Sequence, residues 1–163
     1  MDFGKIYYNI QQEIENLGFA ITYRDFDRPW GAFFVIDENQ AQEFANCFFN
    51  GLDVETLRIT GKLSPKILIV KPSSRLSWQY HHRRAEIWQV YRGEVGVILS
   101  ENDFEGELIC CKQGHQLRIF QGQRHRLVGL EDYGIVAEIW QHTGSKPSDE
   151  DDIVRVNDDF KRG

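Results

Sequence analysis

Apolar residues recur at three- and four-residue steps along the first positions of the chain, at Phe3, Ile6, Tyr7, Ile10, Ile14 and Leu17. With Gly18 where such an element would stop, the spacing predicts an amphipathic helix. A second helical pattern follows Asp37, which suits an N-cap, with Ala41, Phe44, Ala45 and Phe48 along one side and Gly51 at its end. Between the two, GAFFVID reads as a strand. From residue 66 the text changes to short β-rich runs: KILIVK, LSWQYH, EIWQVY, GVILSE, GELICC, HQLRIFQ, HRLVGL and GIVAEIW. Pro72, Gly93, Gly106, Gly114, Gly122 and Gly134 punctuate them at the regular interval of an antiparallel sandwich or barrel. After Gly144 the chain is polar and offers only DIVRV as core material. The expected organisation is a single domain over 1–163, with N-terminal helices and a strand over 1–60, a barrel over 61–143 and a polar tail over 144–163.

Composition narrows the class. A chain of 163 residues can bury a real core without disulfide support. Of its three cysteines, Cys110 and Cys111 are adjacent, which fits neither a disulfide framework nor a zinc-thiolate site. A reducing cytoplasm is the expected location. The formal net charge of -6, with acidic residues gathered in SDEDDIVRVNDD, argues against a nucleic-acid or anionic-membrane partner. The first residues carry charges throughout and no apolar run long enough for a signal peptide or a span, so no membrane role is expected.

The chemistry concentrates in LSWQYHHRRAEIW, residues 76–88. In a strand, residues two apart share a face, so Gln79 and His81 point one way while Tyr80 and His82 point the other. Glu86 follows a turn and opens the next strand, and His125 starts another strand after the QGQ turn. Imidazole, carboxylate and amide oxygen are ligands for a divalent metal, so Gln79, His81, Glu86 and His125 form the candidate set. His82 faces away and reads as a surface or supporting residue. Asp37 and the pair Phe48 and Phe49 read as helix structure or a dimer surface.

This spacing resembles the two cupin motifs. The first has two ligands one residue apart, a Glu five positions on and a Gly seven beyond it; Gln79, His81, Glu86 and Gly93 occupy those places. GHQLRIFQGQRH supplies Gly114, Gly122 and His125 of the second, with Phe120 where Pro is usual. Within the cupins the chain is similar to the type II mannose-6-phosphate isomerase domain, through RPWG at 28–31, LSWQYHHRRAEIW at 76–88, HRL at 125–127 and EDDIVR at 150–155. The resemblance implies functional roles at Arg84, Glu86, Arg155 and Arg162. It also brings two departures: Ile87 stands where the family has His, and HTGSKPS lengthens the chain near the presumed mouth of the barrel.

The resemblance implies a mainly β fold, a double-stranded β-helix or jelly-roll barrel with helices packed outside, and a metal-dependent aldose–ketose isomerase that interconverts mannose 6-phosphate and fructose 6-phosphate. The expected cofactor is one divalent metal, zinc first, with iron, manganese, cobalt or nickel as alternatives. Arg84, Glu138 and Arg155 are the catalytic candidates, and Arg84, Trp140, Arg155 and Arg162 the candidates for binding a small-molecule sugar phosphate. Guanidinium forks pair well with phosphate oxygens, although each Arg could instead bridge to the acidic tail. The base is either a metal-bound water or Glu138, if Glu138 faces inward. Of Trp30, Trp78, Trp88 and Trp140, core packing is expected for at least half, with Trp140 the one assigned to a pocket. Two alternatives share the fold: a non-catalytic cupin binding a sugar or sugar nucleotide, which Ile87 favours, and another metal enzyme such as an oxygenase. A homodimer is the candidate assembly.

Overall fold

The computed structural model describes residues 2–161. Helix α1, Phe3–Asn16, begins where Asp2 accepts a hydrogen bond from the Lys5 backbone N–H, and it buries Tyr7, Ile10 and Ile14. The strand β1, Ile21–Arg28, pairs antiparallel with β2, Gly31–Ile36. Asp37 then caps a short 3-10 turn at Glu38–Gln40, which runs into α2, Ala41–Phe48, followed by the one-turn α3, Val54–Leu57. The remaining strands are β3 Lys66–Val70, β4 Trp78–Tyr80, β5 Arg84–Arg92, β6 Glu94–Ser100, β7 Leu108–Lys112, β8 Gln116–Ile119, β9 Arg124–Gly129, β10 Gly134–His142 and β11 Val154–Asn157.

They form two antiparallel sheets, in the orders β1-β2-β3-β10-β5-β8 and β11-β4-β9-β6-β7. Period-two alternation gives the larger sheet two apolar faces. Ala32, Phe34, Ile36, Ile67, Ile69, Ile87, Ile135, Ala137 and Ile139 pack outward against the helices, with Phe44, Phe48 and Phe49. Phe33, Leu68, Val70, Trp88, Val90 and Val136 point inward to meet Val95, Val97 and Leu127 of the smaller sheet. Phe48 and Phe49 are therefore core residues, not a dimer surface. Ile87 is likewise fully buried on the helix-facing side, opposite the face that carries Glu86 and Trp88.

Two glycines are required by close approach or turn geometry. A Cβ on Gly31, in the RPWG segment, would stand 1.9 Å from the Ile69 carbonyl oxygen, so β2 and β3 could not meet there with any other residue. Gly93 has φ +76° in the one-residue link between β5 and β6.

Two elements escaped the hydrophobic pattern. β1 reads ITYRDFDR, mostly exposed along an edge of its sheet, and its place is set by pairing with β2 and not by apolar alternation. The polar tail is more than a tail: β11 pairs with β4, and Ser148 and Asp152 ahead of it are buried. No helix among the described residues is long and apolar enough to cross a membrane.

Candidate metal centre and its cavity

Gln79, His81, Glu86 and His125 meet on the inner faces of the two sheets. Register brings them together: Arg155 on β11 lies opposite Gln79 on β4, and Gln79 lies opposite His125 on β9. His81 Nε2 is 3.1 Å from His125 Nε2 and 3.1 Å from Glu86 Oε2. Each imidazole has its other nitrogen against a carbonyl, His81 Nδ1 at 2.6 Å from Asp152 O and His125 Nδ1 at 2.9 Å from Gln123 O. Those carbonyls accept from the Nδ1–H groups, so both Nε2 atoms face one another as acceptors, His81 Nε2 with Arg84 Nη2 at 3.2 Å beside it, an arrangement that could hold a cation. The 3.1 Å separations match neighbouring donors on a metal with bonds of about 2.0–2.2 Å, which lie roughly 2.9–3.5 Å apart.

The electrostatics agree with that arrangement. Burial pushes the Glu86 carboxyl up, but the Arg84 guanidinium bonded to it leads the charges that outweigh burial and hold the group well below the usual carboxylate range. Burial pushes His125 down to about 4, against the pull of Glu86, which keeps its ring neutral. Gln79 Oε1 accepts from Ser77 Oγ at 2.6 Å while Nε2 stands 3.4 Å from His125 Nε2. Turning the amide over brings Oε1 to the centre and lets Nε2 donate to Ser77, so Gln79 can join the set.

The ligands are held by the C-terminal segment that passes over them. Asp152 accepts from the backbone N–H groups of His82 and Arg83, each at 3.0 Å, and from Ser148 Oγ at 2.6 Å. Arg84 Nε donates to Glu86 Oε2 at 2.8 Å, and its Nη1 donates to Ser148 Oγ and Asp149 O, each at 3.0 Å. His142 is buried beside this segment, accepting from the Ser148 N–H at Nδ1 and bonding Ser64 Oγ through Nε2. Sequence reasoning missed Ser148, Asp152 and His142. HTGSKPS brought Ser148 to notice only as added length.

A cavity of about 390 Å³ opens over the centre. Arg84, Glu138, Trp140 and Arg155 all line it, as do Trp88 and Lys66, the latter not singled out by the sequence. Arg162 lies outside the described residues. Glu138 points inward, held by Trp88 Nε1 at 2.8 Å and Trp140 Nε1 at 2.6 Å. The same Trp88 N–H also reaches Glu86 Oε1 at 3.0 Å. Burial, then the Glu86 charge, push Glu138 up to about 8. Trp30, Trp88 and Trp140 line the cavity although all are buried; Trp78, whose Nε1 donates to Asp103 O, packs away from it. His82 is exposed and stacks edge-on against Tyr80.

Two facing antiparallel sheets with inward His, His and Glu donors at this spacing define a cupin. Solved structures share the fold: KdgF from Halomonas sp., with a TM-score of 0.53 at 15% identity, covers 79% of this chain and 89% of its own. The capsular polysaccharide assembling protein CapF from Staphylococcus aureus gives a TM-score of 0.55 at 12% identity, over 85% of this chain and 34% of that one. Among cupins, residues 51–158 match the family described as mannose-6-phosphate isomerase C-terminal, and the chain belongs to that family.

Relatives include the xanthan biosynthesis protein XanB of Xanthomonas campestris pv. campestris, 29% identical over 88% of this chain and 25% of its own length. A mannose-1-phosphate guanylyltransferase of Salmonella montevideo is 28% identical over 92% of this chain and 26% of its own. The alginate biosynthesis protein AlgA of Pseudomonas putida is 30% identical over 83% and 22%. The chain spans about a quarter of the length of these relatives.

Proposed function

We propose that this cupin is a metal-dependent aldose–ketose isomerase for a sugar phosphate, interconverting mannose 6-phosphate and fructose 6-phosphate. The observation that carries the reading is Glu138, a carboxyl aimed into the cavity by two indole N–H groups beside the His81, Glu86 and His125 donors. A divalent metal on those donors, with Gln79, would supply Lewis acidity at the carbonyl and hydroxyl oxygens of the sugar.

The residues of the chain do the rest. Glu138 as carboxylate takes the C2 proton of the aldose and as acid returns it to C1, while the hydroxyl proton of O2 moves to O1. No atom or electron is gained or lost. Burial and the Glu86 charge raise its proton affinity above the usual carboxylate range, the direction a group that alternately takes and gives a proton requires. Trp88 and Trp140 fix its direction. Arg84, stacked 3.5 Å from the centre of the Trp140 ring, orients Glu86, and Arg155 on the cavity wall faces an anionic substrate. A sugar-binding cupin would need no such positioned proton carrier, and an oxygenase no carboxyl of raised proton affinity.

The test is a coupled assay of the metal-loaded protein for conversion of fructose 6-phosphate to mannose 6-phosphate. Turnover abolished by chelation, and by Glu138→Gln with metal retained, supports the reading. Metal-loaded protein without turnover refutes it.

A further inference from the structure

Lys66 stands on the inner face of β3 with its side chain 7% exposed, and its ion-pair partner Glu150 is 56% exposed. A buried ammonium is costly without a counter-charge, whereas an exposed carboxylate turns to water at little cost. The pair is therefore lopsided, and its acidic half can leave. Arg84 of the same cavity is more firmly committed, to Glu86, Ser148 and Asp149.

Position gives the ammonium a use. Lys66 lies opposite Glu138 on β10, and Glu138 lies opposite Trp88 on β5. Lys66 is thus two strand spacings, roughly 10 Å, from the strand that carries Glu86. An elongated ligand held at one end by the metal donors brings its other end to Lys66.

A second cavity of about 470 Å³ adjoins the first and shares Lys66, Trp140 and Glu150 with it. It adds the exposed Lys62 and the hydroxyl of Ser64. Three of its carboxylates are occupied by backbone N–H groups: Asp37 by Asn39, Glu38 by Leu63 and Ser64, and Asp149 by Asp151 and Asp152. With Glu150 turned aside, the Lys66 ammonium is exposed where the two cavities meet.

We propose that Lys66 receives the phosphate of the substrate in exchange for Glu150. The inference deepens the isomerase reading and rests on it for the identity of the sugar. Phosphate binding displaces Glu150, so the segment that also carries Ser148 and Asp152 responds to an occupied cavity.

Calorimetric titration of the metal-loaded full chain with inorganic phosphate tests this apart from turnover. Lys66→Met is expected to weaken phosphate binding roughly 10- to 100-fold, the loss of one charge-assisted contact, while Lys66→Arg retains it. Glu150→Gln, at an exposed position, should tighten it severalfold. Wild-type affinity in Lys66→Met, or no tightening in Glu150→Gln, overturns the proposal, and the second arm stands even if Lys66→Met fails to fold. Phosphate bound through Lys66 without fructose 6-phosphate turnover sinks the isomerase reading but not the anion site. Turnover whose KM and phosphate affinity ignore both substitutions sinks the anion site but not the isomerase.

Discussion

Substituting Ile87→His restores the residue expected from the resemblance at that position, and the structure says what it will do. Ile87 is completely buried among Ile67, Ile69, Ile135 and Ile139, with its cross-strand partner Ile139 on the same helix-facing side. Losing that burial costs roughly 1.5–3 kcal/mol. An imidazole in an apolar cluster also leaves at least one ring nitrogen without a partner, about 1–3 kcal/mol more. The sum, about 2.5–6 kcal/mol, lowers Tm by roughly 5–24 °C in a chain of this size. Differential scanning calorimetry reads the shift, and metal content and turnover per folded chain should not change, because Glu86 and Trp88 lie on the other face. A variant as stable as the wild type with tenfold higher turnover would place residue 87 in the cavity and break the alternation assigned to β5. Ile87 is thus no argument against catalysis, whatever its weight in the sequence.

Three further outcomes follow from the same geometry. His81→Ala and His125→Ala should lose bound metal while His82→Ala keeps it, since His82 is exposed; equal metal content in all three, by elemental analysis, would overturn the donor set. Asp152→Ala removes the acceptor of the His82 and Arg83 N–H groups and loosens the loop that aims His81, so metal affinity should fall about 10- to 100-fold in chelator competition; unchanged affinity would refute the supporting role. His142 is pushed down to about 4 by burial, then by Lys62 and Arg84. Its pKa when folded lies below its unfolded value near 6.5, so the unfolded chain binds the proton first. Its contribution is full above pH 6.5 and is lost as pH falls toward 4; thermal melts between pH 7 and 4 should show that loss, and His142→Gln should flatten it.

The eight strands from β3 to β10 were legible because each is a short β-rich run and Gly or Pro separates many of them, a local signal that needs no knowledge of partners. The metal donors were legible for a related reason. Strand period puts Gln79 and His81 on one face, while Glu86 after the turn and His125 after Gly122 join them through the spacing of the resemblance. His82 followed from the same parity and is exposed.

What depended on distant chain was not legible. Lys66 opens an apolar run and reads as a strand boundary until Glu150, 84 residues on, is folded against it. Ser148 and Asp152 belong to a polar stretch whose composition suits solvent, yet they are buried because Arg84, His142 and two backbone N–H groups need acceptors or partners there. Trp88 looked like any core aromatic, and only the β5–β10 register sets its N–H between Glu86 and Glu138. Local periodicity and turn chemistry are written into neighbouring residues, so the sequence by itself determined most of the strands and their faces, and the spacing of the candidate donor set. The closing segment, the pairing of Lys66 with Glu150 and the direction of Glu138 were decided by tertiary structure, because each is a contact between segments whose approach depends on how two sheets and a tail pack together.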